Sequence, residues 1–217
     1  DLSTTDNRIE EVQRVLNEKY NNQEHISVYV KQLDTDRVAA INDEKSMYAA
    51  SVAKLGVLYY AQERLSQKKL SLSDEYQYTA AVNGFPGAYD PDGSGKISKM
   101  PDDKNYSLEN LLKAVAQNSD NVATNILGYY VTNQYDKAFQ KSVDKAAATS
   151  WNMDKKELTA RAAGTLMEAV YRQNGDIITY LSSTDYDGER ISKNIDVPVA
   201  HKIGDAYDFK HDVAIVY

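Results

Sequence analysis

Two strand-like segments near each end of the chain enclose a long middle stretch of helical periodicity, and this arrangement constrains the fold more than any other feature. Residues 26–30 (Ile-Ser-Val-Tyr-Val) and 37–41 (Arg-Val-Ala-Ala-Ile) read as strands, with Asp34-Thr35-Asp36 turning between them. Residues 197–204 and 212–217 read as a second pair. Before the first pair, Ile9, Val12, Leu16 and Tyr20 recur at three- and four-residue spacing, so 6–20 is predicted helical, with Thr5 or Asp6 as its cap. Helices are also predicted over 51–67, from Leu108 (capped by Ser107) to a break at Asn118-Ser119-Asp120, over 121–131 and over 159–173. The glycines and prolines of 83–105 mark an irregular loop. Terminal strands around central helices give an α/β (α+β) fold: an antiparallel sheet flanked by helices, with an inserted all-helical domain. The expected division is 1–48 plus 190–217 for the discontinuous α/β part and 49–189 for the helical part.

Composition removes several function classes. With 25 basic against 32 acidic side chains the net charge is −7, and no basic cluster is present to hold nucleic acid or an anionic membrane. No cysteine is available for a disulfide, a thiol nucleophile or a thiolate metal site. The apolar run 55–61 is far too short to cross a bilayer. The opening Asp1-Leu2-Ser3-Thr4-Thr5-Asp6 has neither basic nor apolar signal regions, so any signal peptide is expected to have been removed.

Three short segments carry residues suited to chemistry. Ser51-Val52-Ala53-Lys54 opens an apolar helix, where residues three apart share a face, so Ser51 Oγ and Lys54 Nζ are expected to meet. A serine is a weak nucleophile unless a base activates it, and a lysine of lowered pKa can serve. Ser119-Asp120-Asn121 lies where one helix stops and another starts, presenting a hydroxyl and an amide to a cleft. His201-Lys202-Ile203-Gly204 ends a strand, where a lysine can hold a carboxylate and a glycine admits a ligand to the backbone. Each segment alone also fits an ordinary cap, turn or edge strand.

In this order the three resemble the Ser-x-x-Lys, Ser-Asp-Asn and Lys-Thr-Gly motifs of class A β-lactamases and penicillin-binding proteins. Residues 107–112 and 118–125 are similar to the family's helices around the middle motif, and the element order matches over nearly the whole chain. The resemblance implies a β-lactamase/transpeptidase-like fold, with Ser51 as acylated nucleophile and Lys54 as its base or proton relay. Ser119 would protonate the leaving nitrogen, Asn121 would bind the substrate amide, and Lys202 would hold a carboxylate and tune Ser119. Gly204 would line the substrate groove, and the N–H groups of Ser51 and Asp205 would form the oxyanion hole. Asp120 would tie the loop together. No cofactor or metal is implied.

Three departures from the family pattern shape the expectation. Ile203 replaces the Thr or Ser whose hydroxyl helps grip a carboxylate. No Glu-x-x-Leu-Asn segment lies between Asn121 and Thr159; Glu157 has the wrong spacing and reads better as a first-turn helix acid. The family continues past the strand at 212–217 with another strand and a helix, so these are expected to be missing, with a separate segment completing the sheet. Two decoys are set aside. Asp90-Pro91-Asp92-Gly93-Ser94-Gly95 begins like a calcium loop but has Pro101 at the twelfth position, and His201 with His211 lack a third zinc ligand.

The expected function is a β-lactamase-like serine acyl hydrolase acting on β-lactams or D-Ala-D-Ala-like peptides and slow to deacylate. The alternatives are a cell-wall D,D-peptidase and a catalytically weak wall-binding or assembly module. The expected location is extracellular or at the cell surface, secreted or membrane-anchored.

Overall fold

A computed structural model describes residues 6–217. Helix α1 (Arg8–Tyr20) buries Ile9 and Leu16 against Ala39 of a hairpin made by β1 (Val28–Gln32) and β2 (Arg37–Ile41). The strands pair antiparallel with Val28 opposite Ile41 and Gln32 opposite Arg37. The cap expected from Thr5 or Asp6 takes another form. Thr5 lies outside the described residues, Asn7 holds the cap position without a side-chain bond, and the Asp6 carboxylate accepts Arg8 N–H at 3.1 Å. Gln13 bonds both backbone groups of Ala40, at 2.8 and 2.9 Å, in the way a neighbouring strand would.

The next elements lead into the helices. β3 (Met47–Tyr48) feeds a 3₁₀ turn (Ala50–Lys54) and then α2 (Leu55–Ser66). The sequence predicted one continuous helix from Ser51; its first turn is instead wound tighter, after Ala50 at φ 49°. β4 (Glu75–Gln77) pairs with β5 (Asn105–Ser107), a ribbon that closes the base of the long loop. α3 (Leu108–Asn118), capped by Ser107 as expected, ends at Ser119 in the left-handed conformation (φ 53°). α4 (Asn121–Tyr130) restarts behind Asp120, whose carboxylate caps it through Ala123 N–H.

α5 (Lys137–Ala147) and α7 (Asp176–Leu181) were not anticipated. α5 places Phe139, Val143 and Ala147 four residues apart on one buried face, a periodicity the sequence reading passed over, whereas α7 spans six residues and is too short to show one. Between them, β6 (Glu157–Leu158) pairs with β3, and α6 (Ala160–Gln173) begins behind the Thr159 cap. Glu157 therefore belongs to a short strand and not to the first turn of a helix. The chain finishes in a hairpin of β7 (Val199–Ala206) and β8 (Phe209–Val216).

One apolar core joins α2, α3, α4 and α6 to Ala200, Val213 and Ile215 of the last hairpin. Trp151, fully buried, donates its indole N–H to Ala53 O at 3.1 Å. Gly56 makes room for it, since a Cβ there would come within 2.7 Å of the indole nitrogen. This pair fixes the segment after α5 against the head of α2. β1 and β8 do not pair with each other among the described residues. α6 packs against both, and a groove of about 1330 Å³ runs between them, lined by neither Ser51, Lys54, Ser119 nor Lys202.

Candidate active site

The head of α2, the α3–α4 break and β7 converge, and each brings one of the segments singled out in the sequence. Half-buried Ser51 lies in the 3₁₀ turn, one residue after the left-handed Ala50. A non-glycine residue in that region is strained and persists only when its surroundings hold it. Ala49 N–H donates to Lys156 O at 2.7 Å, and Tyr89 Oη donates to Ala50 O at 3.3 Å. β7 presses on the same turn through Gly204, where a Cβ would sit 2.5 Å from Ala49 O, so glycine is what permits the approach.

Lys54 is fully buried. Its Nζ donates to Ser119 O and to Asn121 Oδ1, both at 2.6 Å, and to Ser119 Oγ at 3.2 Å. Three acceptors use the three N–H bonds of an ammonium, and no hydrogen bond joins Lys54 Nζ to Ser51 Oγ among the described residues. The expected Ser51–Lys54 meeting is thus not formed in this state. Lys202 Nζ donates to Ser119 Oγ at 2.8 Å and to Ile203 O at 3.0 Å. One serine hydroxyl therefore bridges two buried lysines. Burial pulls Lys54 well below an ordinary lysine pKa; the charges of Lys202 and Lys156 add to this while Asp120 opposes it. Burial also brings Lys202 down to about 7, against the attraction of Asp212.

Asp120 is the loop tie expected of it: Oδ1 accepts Ala123 N–H, and Oδ2 accepts Lys96 and Ile97 N–H at 2.7 and 3.0 Å. The glycine-rich segment that resembled a calcium loop packs on this turn. Gly93 lies against the Asn121 amide and Gly95, at φ 125°, against Asp120, and a Cβ at either would collide with those side chains. Ser94 donates to Ser119 O at 2.7 Å. Asn121 Nδ2 donates to Asp90 O at 2.8 Å, which leaves one amide hydrogen for a ligand. Asp205 is exposed and paired with Arg190 at 2.8 Å, while Ile203 is buried. Glu157 is exposed and makes no side-chain hydrogen bond among the described residues.

Two residues at the site, Tyr89 and Lys156, carried no recognisable sequence signal. Tyr89, buried, is clamped by Asn125, which exchanges hydrogen bonds of 2.7 and 2.8 Å with its backbone. The Lys54 and Lys156 nitrogens stand 4.7 and 4.5 Å from the centre of its ring. Beside Lys202, His201 is gripped by Asp212 at 3.1 Å and Asp187 at 2.9 Å. Burial disfavours its imidazolium, but the two carboxylates outweigh this and raise its pKa.

The three segments thus meet in one lysine–serine–lysine cluster between a helix head, a helix break and a strand. The sequence matches the β-lactamase enzyme family across residues 7–217, and the chain belongs to that family. Among solved structures, the TLA-1 extended-spectrum β-lactamase is similar at a TM-score of 0.74 with 17% identity, covering 96% of this chain and 84% of that one. The β-lactamase of Sphaerobacter thermophilus gives 0.70 and 17%, covering 88% and 76%. PBP-A gives 0.70 and 14%, covering 94% and 85%. At these identities the likeness is one of fold. No curated protein matches the sequence.

Proposed function

We propose that this serine hydrolase forms an acyl-enzyme at Ser51 with β-lactams or D-Ala-D-Ala-like peptides and releases it slowly. The observation that carries the reading is the convergence of Lys54 and Lys202, both buried, on the Ser119 hydroxyl. Burial disfavours the ammonium of Lys54, and in its base form this lysine takes the Ser51 proton as the oxygen attacks the carbonyl. To do so it turns from Asn121 Oδ1 toward Ser51 when substrate binds, since catalytic hydrogen bonds commonly tighten only in the loaded enzyme. The N–H groups of Ser51 and Asp205 receive the oxyanion. Ser119 passes a proton from Lys54 to the leaving nitrogen, the spare amide hydrogen of Asn121 holds the substrate amide, and ammonium Lys202 holds its carboxylate.

Slow release follows from the carboxylates. Asp120 spends its oxygens on backbone N–H groups, and Glu157 is exposed, so neither is set to activate a deacylating water. A variant of PBP-A is solved as an acyl-enzyme complex with penicillin G, which supports the same chemistry on this fold. A D,D-peptidase using the same residues is the second reading, favoured by the same lack of a placed carboxylate. A fluorescent penicillin separates the outcomes. Slow loss of a label on Ser51 is expected, fast loss would make the protein an efficient lactamase, and no label a non-catalytic module. Ser51→Ala should abolish the covalent mass shift, and an unchanged shift would reject the assignment. Substrates of this kind put the protein's work outside the cytoplasmic membrane.

We also propose that an added strand, apolar on the side facing α6, pairs between β1 and β8. The support is the lack of pairing between β1 and β8 among the described residues and the groove that runs between them over Ala163 and Gly164. A heptapeptide alternating valine and threonine should slow amide exchange at 28–32 and 210–216; unchanged exchange would reject the slot.

A further inference from the structure

Lys156 occupies the segment between α5 and α6 where the sequence offered no catalytic glutamate. Its residue is 7% exposed, and its Nζ donates to Gly87 O and Met153 O, each at 2.9 Å. The same nitrogen lies over the Tyr89 ring, so two carbonyls and an aromatic face support an ammonium whose pKa burial lowers. Its backbone stands in the left-handed region at φ 54°, and in that conformation its carbonyl accepts Ala49 N–H. One residue thus touches the turn that presents Ser51, the loop that carries Tyr89, and the ring that Lys54 also covers.

We propose that Lys156 is a positioning residue for acylation: its carbonyl and ammonium fix the Ser51 turn and the Tyr89 loop, and its charge biases Lys54 toward the base form. The proposal rests on the reading of Lys54 as the base. The two nitrogens share one ring centre and lie within about 9 Å of each other. At an effective dielectric near 20, like charges at that separation move a pKa by about one unit. The charged groups that face Lys54 are Lys202 from β7, Asp120 from the head of α4, and Lys156 itself; Asp154 is the acid that acts on Lys156. Lys202 pushes in the same direction as Lys156 and Asp120 in the opposite one, so removing Lys156 raises the Lys54 midpoint.

The test uses Lys156→Gln, which keeps a donor for Gly87 and Met153 but loses the charge, and Lys156→Arg, which keeps the charge. Lysine ε-carbon NMR titration of the full chain reads Lys54 directly, without reference to activity. The Lys54 midpoint should rise by about one pH unit in Lys156→Gln and stay in place in Lys156→Arg. The acidic limb of penicillin acylation should move with it, so that at a pH below the midpoint Lys156→Gln is labelled up to roughly tenfold more slowly. An unmoved Lys54 midpoint in folded Lys156→Gln overturns the proposal. A moved midpoint in a protein that penicillin never labels keeps the coupling and rejects the acylation reading instead. In the unaltered protein the Lys156 signal should still be that of an ammonium where Lys54 titrates; a neutral amine there also overturns the proposal, even if neither variant folds.

Discussion

Replacing Lys202 by methionine should make the protein more stable while disabling it. Lys202 is 2% exposed, and its pKa falls from 10.5 to about 7. Each unit of such a shift is worth about 1.4 kcal/mol, so burying this lysine costs on the order of 5 kcal/mol at and below pH 7. Methionine fills a similar volume without charge. It also removes the donor to Ser119 Oγ and Ile203 O, which returns about 1–3 kcal/mol of loss. The net expectation at pH 7 is a gain of roughly 2–4 kcal/mol, or roughly 10 °C in Tm for a chain of this length.

The pH dependence has a definite sign. Between about pH 7 and 10 the unfolded chain binds a proton at this position that the folded chain does not, so wild-type stability rises with pH across that window. Lys54, also lowered, contributes in the same direction, which is why the difference between wild type and variant is the informative quantity. Urea unfolding at pH 6, 7, 8 and 9 measures it. The advantage of Lys202→Met should be largest at pH 6 and shrink steadily toward pH 9. A variant less stable than wild type at pH 6, or an advantage that does not change with pH, would show that the lysine is not held at the cost its burial implies.

Gly204→Ala should destabilise the fold by about 1–3 kcal/mol and slow acylation, because its Cβ would meet Ala49 O at 2.5 Å and push β7 off the Ser51 turn; differential scanning calorimetry and penicillin labelling check both. Wild type should exceed His201→Gln in stability under acid, where the imidazolium pairs with Asp187 and Asp212. That advantage is fully present below pH 6.5 and lost as pH rises through the raised folded midpoint, so denaturation curves that stay separated at pH 9 would argue against it. Ile203→Thr returns a hydroxyl beside Lys202 and should raise penicillin acylation up to roughly tenfold, the value of one hydrogen bond to a charged group. An unchanged rate constant would mean that the carboxylate is seated elsewhere.

What the sequence made legible was local. Ser107 and Asp120 were readable as structural residues because capping is decided within three or four positions. Ser51, Lys54, Ser119 and Lys202 were readable as a set through their order. The resemblance implied the Lys202–Ser119 contact but not the place of Lys54, which reaches across to Ser119 and Asn121 and makes no hydrogen bond to Ser51 Oγ among the described residues. Tyr89 and Lys156, and the partner of Asn125, were invisible for a related reason. Asn125 meets Tyr89 across 36 positions, and Lys156 meets Gly87 across 69. In Lys155-Lys156 nothing separates the buried lysine from its neighbour. Gly93 and Gly95 looked like turn residues and are so, but their reason lies in Asn121 and Asp120, which no local rule connects to them.

The distribution of charge divides the proposed reaction into a built half and an unbuilt one. Acylation needs a base near neutrality, a proton path to the leaving nitrogen and a cation for the carboxylate. In the proposed reading Lys54, whose pKa burial lowers, is the base, the Ser119 bridge is the path and Lys202 is the cation. Hydrolysis of the acyl-enzyme needs a second base, aimed at a water on the far side of the ester. The segment that could bring one, 151–159, is tied down by Trp151 on Ala53, by Lys156 on Gly87 and Met153, and by Glu157 in its pairing with Tyr48. That segment gives its Lys156 carbonyl to the Ser51 turn and its Lys156 ammonium to Gly87 and Met153, and its one glutamate, Glu157, is exposed. Introducing a glutamate there would therefore also remove or oppose Lys156, raise the Lys54 midpoint, and slow the first step as it opened a route for the second. Under the proposed mechanism the two halves make opposing demands on the charge carried by the segment 151–159.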